Sequence, residues 1–246
     1  MANLLFQPAD LLNELSALQS LAARFLDRTS PYRLEELIDE IQGLQARGGK
    51  YPLKIPKSRP LRTRVSNGEF EPPSKKKSKR SVYGSITGIW DLEAAEHYVQ
   101  DPDRPKRKGK PKMLIGFAGK ASTVFEVKDG ASDKTLACWK MELGDANSPG
   151  CFFHTFASVD HGFPVPRHPN IFATPMSAIG FALGELFQGA WEETVSGTSD
   201  APNRWRSIQS KRFKALLEWQ LKQVTKTTSS PWCSLKVAKP GSALFL

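Results

Sequence analysis

The segment Met176–Trp191, MSAIGFALGELFQGAW, restricts the fold of this 246-residue chain more than any other stretch. Its apolar residues fall on nearly every side of a helix, and such a helix is stable only when neighbouring elements cover it. Thr174–Pro175 just before it is typical of a helix start, where a capping hydroxyl precedes proline. The sequence therefore predicts a buried central helix that ends at about Thr194.

A second long helix is predicted after the loop that contains Gly197 and Pro202, from about Asn203 to Thr225. The pattern of this segment is amphipathic, with one apolar and one basic face. The residues predicted to point inward are Trp205, Ile208, Phe213, Leu216 and Leu217; those predicted to point outward are Arg206, Lys211, Lys214 and Lys222.

Residues 8–47 are predicted to form a helical hairpin. Apolar residues recur at helical spacing in two stripes: Leu11, Leu15, Leu18, Ala22 and Phe25, then Leu34, Leu37, Ile38, Ile41 and Leu44. Ser30–Pro31 is predicted to cap the second helix, and Gly48–Gly49 to end it. The hairpin either packs on the core of this chain or presents a docking surface to a protein partner.

Strands are predicted between the two helical regions. The stretch SVYGSITGIWDLE, which begins at Ser81, alternates apolar residues and glycine. KMLIGFAG and STVFEVKD predict two strands joined by a tight turn at Gly119–Lys120, and GCFFHTFAS predicts another. Residues 132–143 fit a helix or a strand equally well.

The expected fold class is therefore α+β, with a small, mainly antiparallel sheet packed on two long C-terminal helices. Three regions are predicted: an N-terminal helical hairpin (1–49), a basic arm or linker rich in Pro, Lys and Arg (50–80), and an α+β domain (81–246).

The positive charge of the chain is concentrated in one region. Residues 50–112 contain 17 Lys and Arg against 7 Asp and Glu, whereas the rest of the chain has 18 of each, so the whole net charge of +10 lies there. Such a concentration favours a polyanionic partner over a merely solvated charge run. The predicted nucleic-acid-binding residues are Lys75, Lys76, Lys77, Lys79, Arg80, Arg104, Lys106, Arg107, Lys108, Lys110 and Lys112.

The leading functional hypothesis is thus a nucleic-acid-binding, non-catalytic subunit of a larger intracellular assembly, with lysines and arginines on the phosphate backbone of DNA or RNA. The predicted protein partner docks on the N-terminal helices. No membrane partner is expected, because no stretch approaches the ~20 apolar residues that span a bilayer. Three cysteines without paired spacing and the absence of a signal peptide predict a soluble, cytoplasmic protein.

An alternative hypothesis is a metal-dependent nuclease. Glu126 and Lys128 lie two apart on a predicted strand, so their side chains share one face. This pair resembles the Glu-x-Lys half of the PD-(D/E)xK nuclease superfamily, and the resemblance implies a first acid and Mg²⁺ or Mn²⁺ held by the carboxylates. The candidates for the first acid are Asp91, Glu93, Asp101 and Asp103, and Asp91 is taken as the site residue. Without catalysis, the same pair is the polar face of a strand, and no cofactor is expected.

A second alternative rests on the tripeptide His168–Pro169–Asn170, which follows a proline-rich loop. The tripeptide and the element order resemble ubiquitin-conjugating enzymes. Those enzymes need a cysteine shortly after the tripeptide, and here the next is Cys233, so the resemblance implies a catalytically inactive protein-interaction module. His154, His161 and His168 do not have the spacing of a zinc site, and no metal site is predicted from them.

Overall fold

The computed structural model describes residues 4–67, 81–99, 109–143, 153–158, 168–169, 174–226 and 244–245, which form four helices and ten strands. The helices are α1 (Pro8–Ala22), α2 (Ser30–Arg47), α3 (Pro175–Ser196) and α4 (Asp200–Lys226). The strands are β1 (Leu4–Phe6), β2 (Gly49–Ile55), β3 (Leu61–Arg62), β4 (Ser66–Asn67), β5 (Ser81–Val99), β6 (Lys110–Asp129), β7 (Thr135–Leu143), β8 (Phe153–Ser158), β9 (His168–Pro169) and β10 (Leu244–Phe245). The predicted α+β class is confirmed.

The sheet is built around the long antiparallel pair β5 and β6. Strand β5 carries β2, β3 and β4 along its other edge, and β6 carries β7 and then β8 and β9. Strand β1 pairs with β6 farther along, at Ile115 and Gly116, and is followed by β10. All of these pairings are antiparallel except that of β1 with β10, as the prediction of a mainly antiparallel sheet requires.

Residues 50–67 are not the extended arm that the sequence predicted, because they form β2, β3 and β4 on the edge of the sheet. The side chains of Leu53, Ile55 and Leu61 are buried in the core, which holds this segment against β5. Its prolines are compatible with pairing because, among the described strands, β2 pairs with β5 alone, and at such an edge a missing N–H need not interrupt a ladder. Residues 68–80 of the predicted arm lie outside the described part.

Strand β6 runs without a break through Gly119–Lys120, where the sequence predicted a turn. The ladder with β5 shifts there, so that residues 118–120 lie opposite the single residue Asp91. Asp91 stabilises this bulge, since its Oδ2 accepts a hydrogen bond of 2.9 Å from the backbone N–H of Lys120. The ambiguous residues 132–143 contain a strand, β7, rather than a helix.

Helix α3 lies in the core, as predicted. The Thr174 side chain accepts a hydrogen bond from the backbone N–H of Ser177, at 3.1 Å, and so caps the helix. Farther along, Phe187 is 1% exposed and its ring centroid lies 4.9 Å from that of Phe25. The helices and the sheet contribute to the same hydrophobic core within the described residues.

Both leucine-rich stripes of the N-terminal hairpin are buried in this core, which favours packing on the chain itself. The predicted cap of α2 was wrong in detail, because Ser30 is already helical. The Asp27 carboxylate accepts the backbone N–H groups of Thr29 and Ser30, while Ser30 Oγ accepts the N–H of Arg62. Gly48, with a φ of 68°, ends the helix as predicted.

The buried face of helix α4 agrees with the sequence prediction at Trp205 and Leu216 but differs at positions 212 and 213. Phe213, which was expected inside, is 45% exposed, whereas the neighbouring Arg212 is 2% exposed. Trp205 and Leu216 are buried as predicted. The difference has a physical reason, because Glu14 on α1 is a buried acidic partner for Arg212. None of the helices in the described ranges is long and apolar enough to cross a lipid bilayer.

Candidate nucleic-acid interface

The hairpin of β5 and β6 extends beyond the strands that flank it. Pairing with β2 ends at Ala94, and pairing with β1 ends at Ile115, which is the partner of Ala94. Five residue pairs, from Ala95 opposite Leu114 to Val99 opposite Lys110, pair only with each other among the described strands. The last four of them, which begin with Glu96 opposite Met113, form the ribbon. At ~3.3 Å per residue, this two-stranded ribbon is about 13 Å long.

The two faces of the ribbon differ in charge. Cross-strand partners share a face, and residues two apart on a strand also share one. His97, Lys110 and Lys112 therefore lie on one face, and both lysines are exposed. Glu96 and Tyr98 lie on the opposite face, where Tyr98 is 63% exposed. The only carboxylate in these four pairs is thus turned away from the lysines.

Of the basic residues predicted from the sequence, Lys110 and Lys112 are within the described ranges and are brought together on this ribbon. The others lie outside the described residues: Lys75, Lys76, Lys77, Lys79, Arg80, Arg104, Lys106, Arg107 and Lys108. The connection between the two ribbon strands is residues 100–109, QDPDRPKRKG, which contains four Lys or Arg and two Asp. Arg104 to Lys108 are consequently linked by a few residues to the lysine face.

The sheet edge formed by β2, β3 and β4 is a further basic surface that the sequence analysis did not assign to a site. Residues 49–67 include no Asp or Glu, and their basic residues are Lys50, Lys54, Lys57, Arg59, Arg62 and Arg64. Five of the six are exposed, Arg64 being half-buried. Arg59 is paired with Glu36 at 3.0 Å. The lack of acidic residues in 49–67 is the feature of the sequence that could have indicated this basic surface.

Glu126 and Lys128 lie on the same face of β6, as alternation predicts, and their charged groups are 4.0 Å apart. Glu126 Oε1 also accepts a hydrogen bond of 3.2 Å from Thr135 Oγ1 on β7. The third proposed residue is not near them. Asp91 is six residues along β5 from Ser85, the cross-strand partner of Glu126, which corresponds to ~20 Å.

Asp91 instead binds the backbone of Lys120, and no three metal-binding side chains come together within the described residues. The neighbours of Glu126 are Cys138 on β7 and, farther along that strand, the ion pair of Lys140 and Glu142. Burial raises the pKa of the Cys138 thiol, Glu126 raises it further, and Lys140 lowers it by less. A thiol with a raised pKa is a weak nucleophile near neutral pH.

A buried polar cluster on three helices was missed by the sequence analysis. Glu14 on α1 is completely buried, and its Oε2 is bound by the guanidinium of Arg212 on α4. Its Oε1 accepts hydrogen bonds from Gln209 Nε2 (2.6 Å), Thr174 Oγ1 (2.9 Å) and Ser177 Oγ (3.2 Å). The available signal was a glutamate inside a leucine stripe, next to Leu15 and three residues after Leu11.

His168 and Pro169, from the tripeptide that resembles ubiquitin-conjugating enzymes, form the short strand β9, where they pair with Thr155 and His154. Asn170, Cys151, His161 and Cys233 lie outside the described residues. Comparison with protein-family models, with curated proteins and with solved structures found no match to this chain.

Proposed function

We propose that this protein binds nucleic acid through the β5–β6 ribbon and does not cleave it. The observation that carries the proposal is the placement of Lys110 and Lys112 on one exposed face of a two-stranded ribbon, next to a connection with four more basic residues. Lysine and arginine on such a face neutralise phosphates and release counterions, which supplies affinity without base readout.

The shape of the ribbon is also suitable. A two-stranded β-ribbon fits the major groove of B-form DNA, whereas the major groove of A-form RNA is too narrow to be read. Duplex DNA is therefore the favoured partner of the two that the sequence allowed. The basic edge of β2 supports the same function, since it lies alongside β5 and Lys50 pairs with Glu93, three residues before the first ribbon pair.

Two observations support a protein that does not cleave nucleic acid. Asp91 lies far from Glu126, and Glu126 is already bound by Lys128 and by the hydroxyl group of Thr135. The predicted protein partner at the N-terminal helices stays a prediction. With both leucine stripes buried, such a partner would contact the outer face of α2, where Tyr32 is 66% exposed.

The test is the salt dependence of binding to a duplex DNA and to a duplex RNA of the same length. Replacing Lys110 and Lys112 by Ala should make the slope of log K against log salt less negative by about 2, because two phosphate contacts are lost. The control replaces Lys211 and Lys214, two exposed lysines on α4, by Ala and so removes the same charge elsewhere. Equal slopes for the two variants, or no binding at low salt, would overturn the proposal.

A further inference from the structure

A cavity of about 440 Å³ lies between α3 and α4. Four aromatic side chains contribute to its walls: Phe181 and Trp191 on α3, and Trp205 and Phe213 on α4. The rings of Trp191 and Trp205 are nearly perpendicular, with centroids 6.3 Å apart. Phe213 is 45% exposed, so this wall of the cavity reaches the surface. Volumes of this size, with mostly apolar walls, are typical of sites for small molecules.

The backbone of α3 is shaped to admit the ring of Trp205. A Cβ atom at Gly180 would lie 2.4 Å from Trp205 Cζ2, so the indole occupies space that any other residue would fill. At Gly184, one turn later, a Cβ would lie 3.4 Å from Trp191 Cδ1, which is an ordinary van der Waals distance. The position of the Trp205 indole in the aromatic wall therefore depends on Gly180.

One end of the cavity is polar. Ser177, Gln209 and Arg212 line it, and all three are hydrogen-bonded to the buried Glu14. The Nη1 atom of Arg212 binds Glu14, whereas Nη2 is buried and has no hydrogen-bond partner among the described residues. A buried N–H without an acceptor is unfavourable. Nη2 has almost no accessible surface, so an acceptor in the cavity reaches it only when the guanidinium moves towards the cavity.

The charges at the polar end of the cavity determine which kind of acceptor can bind beside Arg212. Glu14 already neutralises Arg212, and three further donors bind its Oε1. A carboxylate placed beside Arg212 would therefore bring a second negative charge close to Glu14. A neutral carbonyl oxygen accepts a hydrogen bond without that repulsion.

We propose that this cavity binds a planar aromatic molecule that carries one neutral carbonyl group. The ring lies among the four aromatic side chains, and the carbonyl oxygen points to the polar end at Arg212, where a small shift of the guanidinium brings Nη2 to the acceptor. This site is separate from the β5–β6 ribbon and does not rest on the proposed nucleic-acid binding.

Three probes that differ in one group test the proposal: 2-naphthamide, 2-naphthoate and 2-methylnaphthalene, titrated into the full chain and followed by ligand-observed NMR. We expect 2-naphthamide to bind at least tenfold more tightly than each of the other two. Tightest binding of 2-naphthoate would overturn the neutral acceptor, and equal binding of 2-methylnaphthalene would overturn any role for the polar end. Failure of all three to bind would overturn the site.

Variants locate the binding. Ser210 lines the cavity and is exposed, so Ser210→Trp fills the space without disturbing the core, and 2-naphthamide should lose at least tenfold in affinity. Lys211→Trp, at the exposed neighbouring position outside the cavity lining, is the matched control and should bind as wild type does. Equal affinity in these two variants would contradict the proposal.

The double variant Glu14→Gln with Arg212→Met removes both charges and should abolish the preference for 2-naphthamide over 2-methylnaphthalene. Its folding is checked by circular dichroism, and the Ser210→Trp comparison decides the question if the double variant does not fold. A double variant that folds and keeps the tenfold preference would show that Arg212 is not the donor.

Discussion

Glu14 and Arg212 are 198 residues apart in the chain and form an ion pair in which both side chains are nearly completely buried. The pair joins α1 to α4. Because Thr174 and Ser177 also bind Glu14, the start of α3 is included in the same cluster. The three helices are therefore held in one arrangement by directional contacts in addition to apolar packing.

Removal of one partner of this pair should be costly. Arg212→Met leaves a buried carboxylate without its guanidinium, and we expect a loss of about 3–5 kcal/mol in the free energy of unfolding measured in urea. The double variant with Glu14→Gln should recover most of the loss, since neither charge is then buried alone. The control is Asp200→Asn in the exposed pair with Arg204, where a loss below about 1 kcal/mol is expected. Additive losses in the double variant would show that the pair is not coupled.

Phe187→Ala should destabilise the protein by about 3–5 kcal/mol, because the side chain is 1% exposed and its removal leaves a cavity beside Phe25. Phe213→Ala removes the same atoms from a position that is 45% exposed, and it should cost less than about 1 kcal/mol. Thermal and urea unfolding of both variants give the comparison. Similar losses at the two positions would mean that Phe213 is buried, as the sequence predicted.

Glu126→Gln should change the free energy of unfolding by no more than about 0.5 kcal/mol, since the Glu126 side chain is 32% exposed and its contacts with Lys128 (4.0 Å) and Thr135 (3.2 Å) are long. We also expect the wild-type protein to leave DNA and RNA uncleaved in the presence of Mg²⁺ or Mn²⁺. The measurement is gel analysis of labelled duplexes. Metal-dependent cleavage that Glu126→Gln abolishes would replace the non-catalytic proposal with the nuclease alternative.

Stability should depend on pH through Glu40 on α2. Burial raises the pKa of its carboxyl group, and the opposing effects of Arg33 and of a hydrogen bond with Tyr51 are smaller. A raised pKa in the folded state means that folding favours the protonated acid. The contribution of Glu40 is therefore full below its ordinary pKa and is lost as the pH rises through the raised value.

The variant Glu40→Gln mimics the protonated form at every pH. We expect it to raise the melting temperature at pH 7 and to leave it unchanged at pH 3, as measured by circular dichroism. Glu35→Gln, at an exposed position of the same helix, is the control. A melting temperature that falls at pH 7 in Glu40→Gln would mean that the interactions of the charged form outweigh its burial.

Elements with a strong local pattern could be predicted from the sequence. The apolar run of α3, the cap at Thr174 and the two leucine stripes each follow from spacing along a single helix. The strands β2, β3 and β4 could not be predicted in this way, because prolines and lysines are typical of linkers. Their position depends on β5, whose edge buries Leu53 and Ile55.

Long-range partners explain the other differences. The sequence predicted Phe213 inside because it is apolar and Arg212 is charged. Arg212 is buried instead because it pairs with Glu14, which lies on α1 and is far away in the sequence. Within the candidate interface, the sequence predicted Lys110 and Lys112 as binding residues, but their shared face follows only from β6, which begins at Lys110. That face is exposed because β1 and β2 end before they reach it. The ends of β1 and β2 cannot be predicted from the residues of the ribbon.

The edge strand β2 has a consequence for the behaviour of the protein at high concentration. An exposed strand edge offers unpaired N–H and C=O groups to the sheet of another molecule, which is a common start of aggregation. Here Pro52 has no N–H to offer, and Lys50 and Lys54 on either side of it bring like charges together when two such edges meet. Pairing between molecules is therefore discouraged at this edge, where β2 pairs with β5 alone among the described strands.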